Sequence, residues 1–131
     1  MEDINIQKEK YFELEMLNQQ LVELENSLML MEDDYLQMQY AKEALKTMDE
    51  KDEILIPLVP GIFLSAKDVD LKKIKVGVGS NILIDKDLNE TLKTIEEHVK
   101  KIIENKEKTQ ELFDNVSLRA IKLQEEIEKN H

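Results

Sequence analysis

Two long stretches of this chain place apolar side chains at alternating spacings of three and four. In the first stretch the series runs Leu14, Leu17, Leu21, Leu24, Leu28, Met31, Tyr35, Met38, Lys42 and Leu45. In the second it runs Leu88, Leu92, Ile95, Val99, Ile102, Lys106, Thr109, Phe113, Val116, Ala120, Leu123 and Ile127. Such spacing keeps one seam turned toward a partner helix along a left-handed supercoil. All three glycines and both prolines fall between Pro57 and Gly79, so neither stretch contains a helix breaker. The pattern predicts an α+β chain: a long antiparallel two-helix coiled coil whose arms, residues 1–52 and 87–131, flank a central head over residues 53–86. An arm of about 45 residues extends roughly 65–70 Å at about 1.5 Å per residue.

A coil of two helices buries a seam rather than a globular core, and the composition agrees. Of the 131 residues 36% are charged and 5% aromatic, with no tryptophan. The net charge of −11 is uneven: −9 over residues 1–52, +1 over 53–86 and −3 over 87–131. An acidic arm repels phosphates, so nucleic acid and anionic membrane surfaces are not expected partners. There is no cysteine, which speaks for neither disulfides nor thiolate metal sites. The opening MEDINIQKEK lacks the basic start and apolar run of a signal peptide, and no apolar run approaches the roughly 20 residues of a membrane span. A cytoplasmic protein is expected.

The first helix is predicted to start near Asp3, a competent N-cap, and to end at residues 49–52. Its strict heptad begins only at Leu14; Ile4, Ile6, Tyr11 and Phe12 fit that register poorly. From Ile54 the pattern turns β-like. Ile54-Leu55-Ile56 and Ile62-Phe63-Leu64 flank turn chemistry at Pro57-Leu58-Val59-Pro60-Gly61. Ile74-Lys75-Val76-Gly77-Val78 and Ile82-Leu83-Ile84 flank Gly79-Ser80-Asn81, with a polar link over residues 66–73. Two successive hairpins follow. Pro57 makes its strand an edge or a bulged one. Two-stranded hairpins are marginal in water, so four apolar strands with free edges read as built to pair with other subunits. Asp87 is placed to cap the second helix, with Glu90 at capping-box spacing. Setting Leu45 opposite Leu92 pairs Leu24 with Phe113, Leu17 with Ala120 and Leu14 with Leu123, and puts Lys106 near Met31. A lysine at a core position pins register or marks a weak spot, and its stem can snorkel outward. Met31 and Met38 read as gap-fillers in the seam.

Catalytic chemistry is not expected. His98 and His131 have no partner at ligand or triad spacing. Gly77-Val78-Gly79-Ser80 lacks the lysine and following helix of a phosphate loop, and Glu32-Asp33-Asp34 lacks the glycine and alternating oxygens of a calcium loop. Asn89-Glu90-Thr91 and Asn115-Val116-Ser117 match glycosylation acceptors by coincidence. No cofactor and no metal is expected.

The whole chain resembles an archaeal-type prefoldin subunit of the alpha class. The resemblance is carried by Leu55-Ile56-Pro57-Leu58 opening the first hairpin, Lys75-Val76-Gly77-Val78-Gly79 entering the second turn, and Ile84-Asp85-Lys86-Asp87 leading into the second helix. Two hairpins rather than one point to the alpha class. The resemblance implies an ATP-independent holdase whose hairpins join other subunits in a β-barrel platform. Ile54, Ile56, Leu58, Ile62, Phe63, Leu64, Ile74, Val76, Val78, Ile82, Leu83 and Ile84 are the residues expected there. It implies that the arm ends grip unfolded protein and hand it to a group II chaperonin. Ile4, Ile6, Tyr11 and Phe12 on one arm, with Ile121, Leu123 and Ile127 on the other, put apolar side chains where a coil frays. Leu123 and Ile127 also sit in the heptad, where packing competes with client contact. The expected assembly partners are beta-class subunits, in a closed hexamer, or further copies of this chain in a filament. A coiled-coil scaffold without chaperone activity is a third reading.

Overall fold

The computed structural model describes residues 2–129, the side chains of Glu2 and Asp3 excepted; His131 and the expected Asp3 cap therefore lie outside the described residues. Six elements follow in the order α1 (Glu2–Glu50), β1 (Glu53–Val59), β2 (Ile62–Lys67), β3 (Ile74–Gly77), β4 (Leu83–Lys86) and α2 (Leu88–Lys129). Two long helices and two antiparallel hairpins are thus present, as expected. The chain divides into two compact units, residues 1–34 with 102–131 and residues 35–101.

In the first unit the two helix segments run antiparallel and meet along the heptad seam. Ile102, Val116, Ala120, Leu123 and Ile127 are buried, and Leu123 is only 1% exposed. Lys106 and Thr109 are half-buried, as are Leu14, Leu17, Leu21, Leu24, Leu28 and Met31 on α1. The Lys106 ammonium donates to the carboxylate of Glu32, the residue after Met31. Its stem therefore crosses the seam at the expected level while its charge escapes to the flank. Lys10–Glu126 at 3.6 Å and Arg119–Glu13 at 3.0 Å flank the same seam. Gln7 and Lys10 continue the three–four spacing below Leu14, and both are half-buried. The seam is thus longer than the apolar series; the side-chain amide oxygen Oε1 of Gln7 is buried in it with no hydrogen-bond partner.

In the second unit the end of α1 and the start of α2 run antiparallel, with Lys42 and Glu96 paired at 3.8 Å and Ile95 buried. The Asp87 carboxylate accepts the Glu90 N–H at 2.8 Å, so the expected N-cap of α2 is made. Thr91 is buried, and its hydroxyl is satisfied by donating to the Asp87 carbonyl at 2.7 Å. Lys86 reaches from β4 to the Thr94 hydroxyl at 2.8 Å, tying the second hairpin to α2.

The two hairpins form separate two-stranded sheets, β1–β2 and β3–β4. The β1–β2 register runs from Glu53↔Lys67 to Pro57↔Phe63 and then shifts, so that Val59 faces Ile62. Leu58 is the extra residue of a bulge beside Pro57, which has no N–H to give. Both strands are longer than their apolar runs. Ladder bonds come from the backbone, so polar Ser65 and Lys67 extend the pairing, and the Ser65 hydroxyl also donates to the Glu53 carboxylate. Gly61 turns the first hairpin at φ 85°. In the second, Val78 and Ile82 lie in the turn rather than in the strands: Val78 N–H donates to the Ile82 carbonyl at 3.0 Å and Ile82 N–H to Gly79 at 2.9 Å. Gly79, Ser80 and Asn81 all have positive φ there. The link between hairpins is tightened by Asp70, whose carboxylate accepts the Lys72 N–H at 3.0 Å.

Candidate functional site

Both candidate surfaces are apolar groups left in solvent by elements that have no room to bury them. On the hairpins, Leu58, Ile62, Phe63, Leu64, Val78, Ile82 and Leu83 are more than half exposed. Ile56 and Ile84 are exposed to a lesser degree, and Ile54, Ile74 and Val76 are half-buried. Successive residues of a strand point to opposite faces. Exposure of Phe63 and Leu64 together therefore leaves both faces of the first sheet uncovered. Leu55 and Val59 belong to the same surface, Leu55 being 64% exposed. Taking alternate positions along the first strand, Ile54, Ile56 and Leu58, passes them over, although their place inside the apolar run signals them. An isolated two-stranded sheet with both faces and one edge of each strand open is an unfinished piece of a larger sheet.

At the end of the first unit, Ile4, Ile6, Tyr11, Phe12 and Ile121 are exposed, with Phe12 at 66%. Leu123 and Ile127 are buried in the seam instead. The heptad that selects them also packs them, and they become accessible only where the coil opens. The five exposed side chains lie off the seam register, so the coil can form without them. Exposed apolar groups carried on helices offer contact to many hydrophobic segments without reading a sequence.

Among the described residues no cluster of His, Cys, Asp and Glu is placed to hold a metal ion, and no helix is long and apolar enough to cross a membrane.

The family model described as prefoldin subunit matches residues 17–130. The chain is 31% identical over 126 residues to prefoldin subunit alpha 1 of Methanocaldococcus jannaschii, a match covering 93% of this chain and 88% of that protein. It is 29% identical over 115 residues to prefoldin subunit alpha of Archaeoglobus fulgidus, covering 88% and 81%. To prefoldin subunit alpha of Methanococcus aeolicus it is 29% identical over 85 residues, which span 65% of this chain but only 59% of the relative. In fold it is similar to the filamentous prefoldin of Methanocaldococcus jannaschii solved by cryo-electron microscopy. The TM-score is 0.72 at 18% identity, with 85% of this chain and 94% of the other covered.

Proposed function

This chain belongs to the prefoldin family of chaperone subunits, and from that premise we propose that it is an ATP-independent holdase subunit that grips unfolded protein with its arm ends. The observation that carries this reading is the exposure of Ile4, Ile6, Phe12 and Ile121 beside a seam that buries Leu123 and Ile127. Apolar groups in that setting are available to a client at no loss of coil stability. The resemblance to archaeal-type prefoldin supports transfer of the held client to a group II chaperonin. The domain division follows: residues 1–52 and 87–131 are the gripping arms and residues 53–86 the assembling head.

The test is a double substitution, Ile6→Gln with Phe12→Gln, which preserves charge. It should leave the assembled size unchanged and weaken suppression of aggregation of a denatured client. Suppression equal to that of the parent chain rules these residues out as the grip.

A second reading is a self-assembling filament, favoured by the hairpins, whose uncovered faces and edges are all carried on one chain. An identical neighbour added repeatedly without closing would give a polymer. Light scattering and negative-stain images of the chain alone separate the two. A discrete small species that becomes a hexamer only with a beta-class subunit supports the closed assembly, and long polymers support the filament.

A further inference from the structure

The outward faces of α1 and α2 carry charge in different ways. On α2 the solvent side is balanced within the helix: Glu97 and Glu104 are each followed four residues later by a lysine, Lys101 and Lys108. On α1 no basic residue stands between Lys10 and Lys42, a stretch that holds seven acidic ones. Lys106 and Arg119 of α2 answer Glu32 and Glu13. Glu15, Glu23 and Glu25 are exposed and meet no basic side chain among the described residues. Excess acid on a coil surface ordinarily serves solubility and nothing else.

On α1, however, those carboxylates are interleaved with apolar side chains. Glu15, Val22 and Met29 recur at intervals of seven, and Met16, Glu23 and Leu30 form a second such row. All four apolar members are at least half exposed, Leu30 at 72%. Glu13, Met16, Gln20 and Glu23, with Leu17 and Gln19, line a groove of about 360 Å³ on this face. It sets a thioether and a leucine side chain beside two carboxylates. A lysine or arginine fits that chemistry, its stem against Met16 and its charge toward Glu23. A segment with an acid in the same place is repelled. Met16 also stands one turn after Phe12, so the groove continues the exposed apolar surface of the arm. A second copy of this chain is a poor occupant. Its α1 brings the same unanswered acids, and the lysines of its α2 are already answered along their own helix.

We propose that the outward face of α1 from Glu15 to Leu30 is a charge-selective client site, which takes unfolded segments carrying lysine or arginine among apolar side chains. Met16 and Val22 supply the apolar contact, and Glu15 and Glu23 the counter-charge. The inference rests on the reading of this chain as a holdase. To the grip at Ile6 and Phe12 it adds a substrate class: cationic stretches are held in preference to acidic ones of equal hydrophobicity.

The test uses the full chain and two fluorescein-labelled, unstructured peptides of equal length and equal leucine content, one with lysine and the other with glutamine at the remaining variable positions. Fluorescence anisotropy in low salt should show the parent chain binding the lysine peptide about threefold or more tighter. In 1 M salt the two affinities should come within about twofold of each other, because surface charges are screened there. Glu15→Gln with Glu23→Gln should abolish the preference and leave affinity for the glutamine peptide unchanged. Glu104→Gln with Glu111→Gln, an equal loss of charge on α2, should keep it. Met16→Gln with Val22→Gln should weaken both peptides. Circular dichroism checks helix content and sedimentation velocity checks assembled size. Equal binding of the two peptides by the parent, or loss of the preference in the α2 variant as well, overturns the charge-selective site and leaves the apolar grip standing. A changed assembled size in the Glu15, Glu23 variant would show a second copy covering that face, which overturns the site too. If the parent binds neither peptide the site fails, and if it also fails to suppress aggregation of a denatured client the holdase reading fails with it.

Discussion

Arg119 donates from both Nε, at 3.2 Å, and Nη2, at 3.0 Å, to a single carboxylate oxygen of Glu13 across the helix pair. It is the only arginine in the chain. Both partners are well exposed, so the pair aligns the helices more than it stabilises them. A double-mutant cycle with Glu13→Gln and Arg119→Gln should give a coupling of about 0.2–1 kcal/mol in low salt. Repeating the urea unfolding in 1 M salt should bring it close to zero, because charges at the surface are screened over about 3 Å there. A coupling that persists in salt would show the pair to be desolvated, contrary to its exposure.

Leu123 is the most fully buried side chain described. Leu123→Ala should destabilise the coil by about 2–5 kcal/mol, as cavity-forming substitutions do. Leu118→Ala, on the exposed side of the same helix, should stay within about 0.5 kcal/mol. Equilibrium urea unfolding followed at 222 nm compares the two.

Asp87 holds the first turn of α2 through the Glu90 N–H. Asp87→Ala should cost about 1 kcal/mol and Asp87→Asn much less, since asparagine also accepts at an N-cap. Equal losses from both would mean that the negative charge, and not the hydrogen bond, is what the helix start uses.

Gly79 turns the second hairpin at φ 107° with open space where a Cβ would stand. Gly79→Ala is therefore opposed by backbone conformation alone, by about 1 kcal/mol or more. Asn81 follows at φ 60°, a region asparagine tolerates; Asn81→Gly should be neutral or stabilising and Asn81→Val destabilising. Hydrogen exchange at Val76 and Ile84, which face each other across the hairpin, reads the ordering directly.

Most of the fold was legible because a three–four spacing has only one consistent reading. Every residue of the α2 series from Leu88 to Ile127 is buried or half-buried, and so is every residue of the α1 series from Leu14 to Leu45. Lys106 also sits within one residue of its expected level, since its long stem fits the seam and its charge finds Glu32. The seam below Leu14 was missed because Gln7 and Lys10 hold core positions with polar side chains, which an apolar series skips. Strand ends were missed for a related reason: Ser65, Ala66 and Lys67 join the ladder through their backbone, which no hydropathy pattern records.

The functional surfaces were legible only in part. The apolar runs identify the hairpins, but they do not say that Phe63 and Leu64 are exposed together on opposite faces. Met16 was invisible as a candidate: outside the heptad it resembles any surface residue, and only the groove it shares with Glu23 marks it. Leu123 and Ile127 illustrate the opposite limit. Sequence could name them, yet only the packed coil separates a buried seam from an exposed apolar surface.

The open faces of the two hairpins have a consequence for the protein as a solute. A pair of strands with no third neighbour gains too little to hold itself together in water. Neighbouring subunits that cover it bind only the ordered form, so its order follows mass action. On dilution the head should lose protection while the helices keep theirs. Protomer concentration, rather than temperature alone, then decides how much of each molecule is folded.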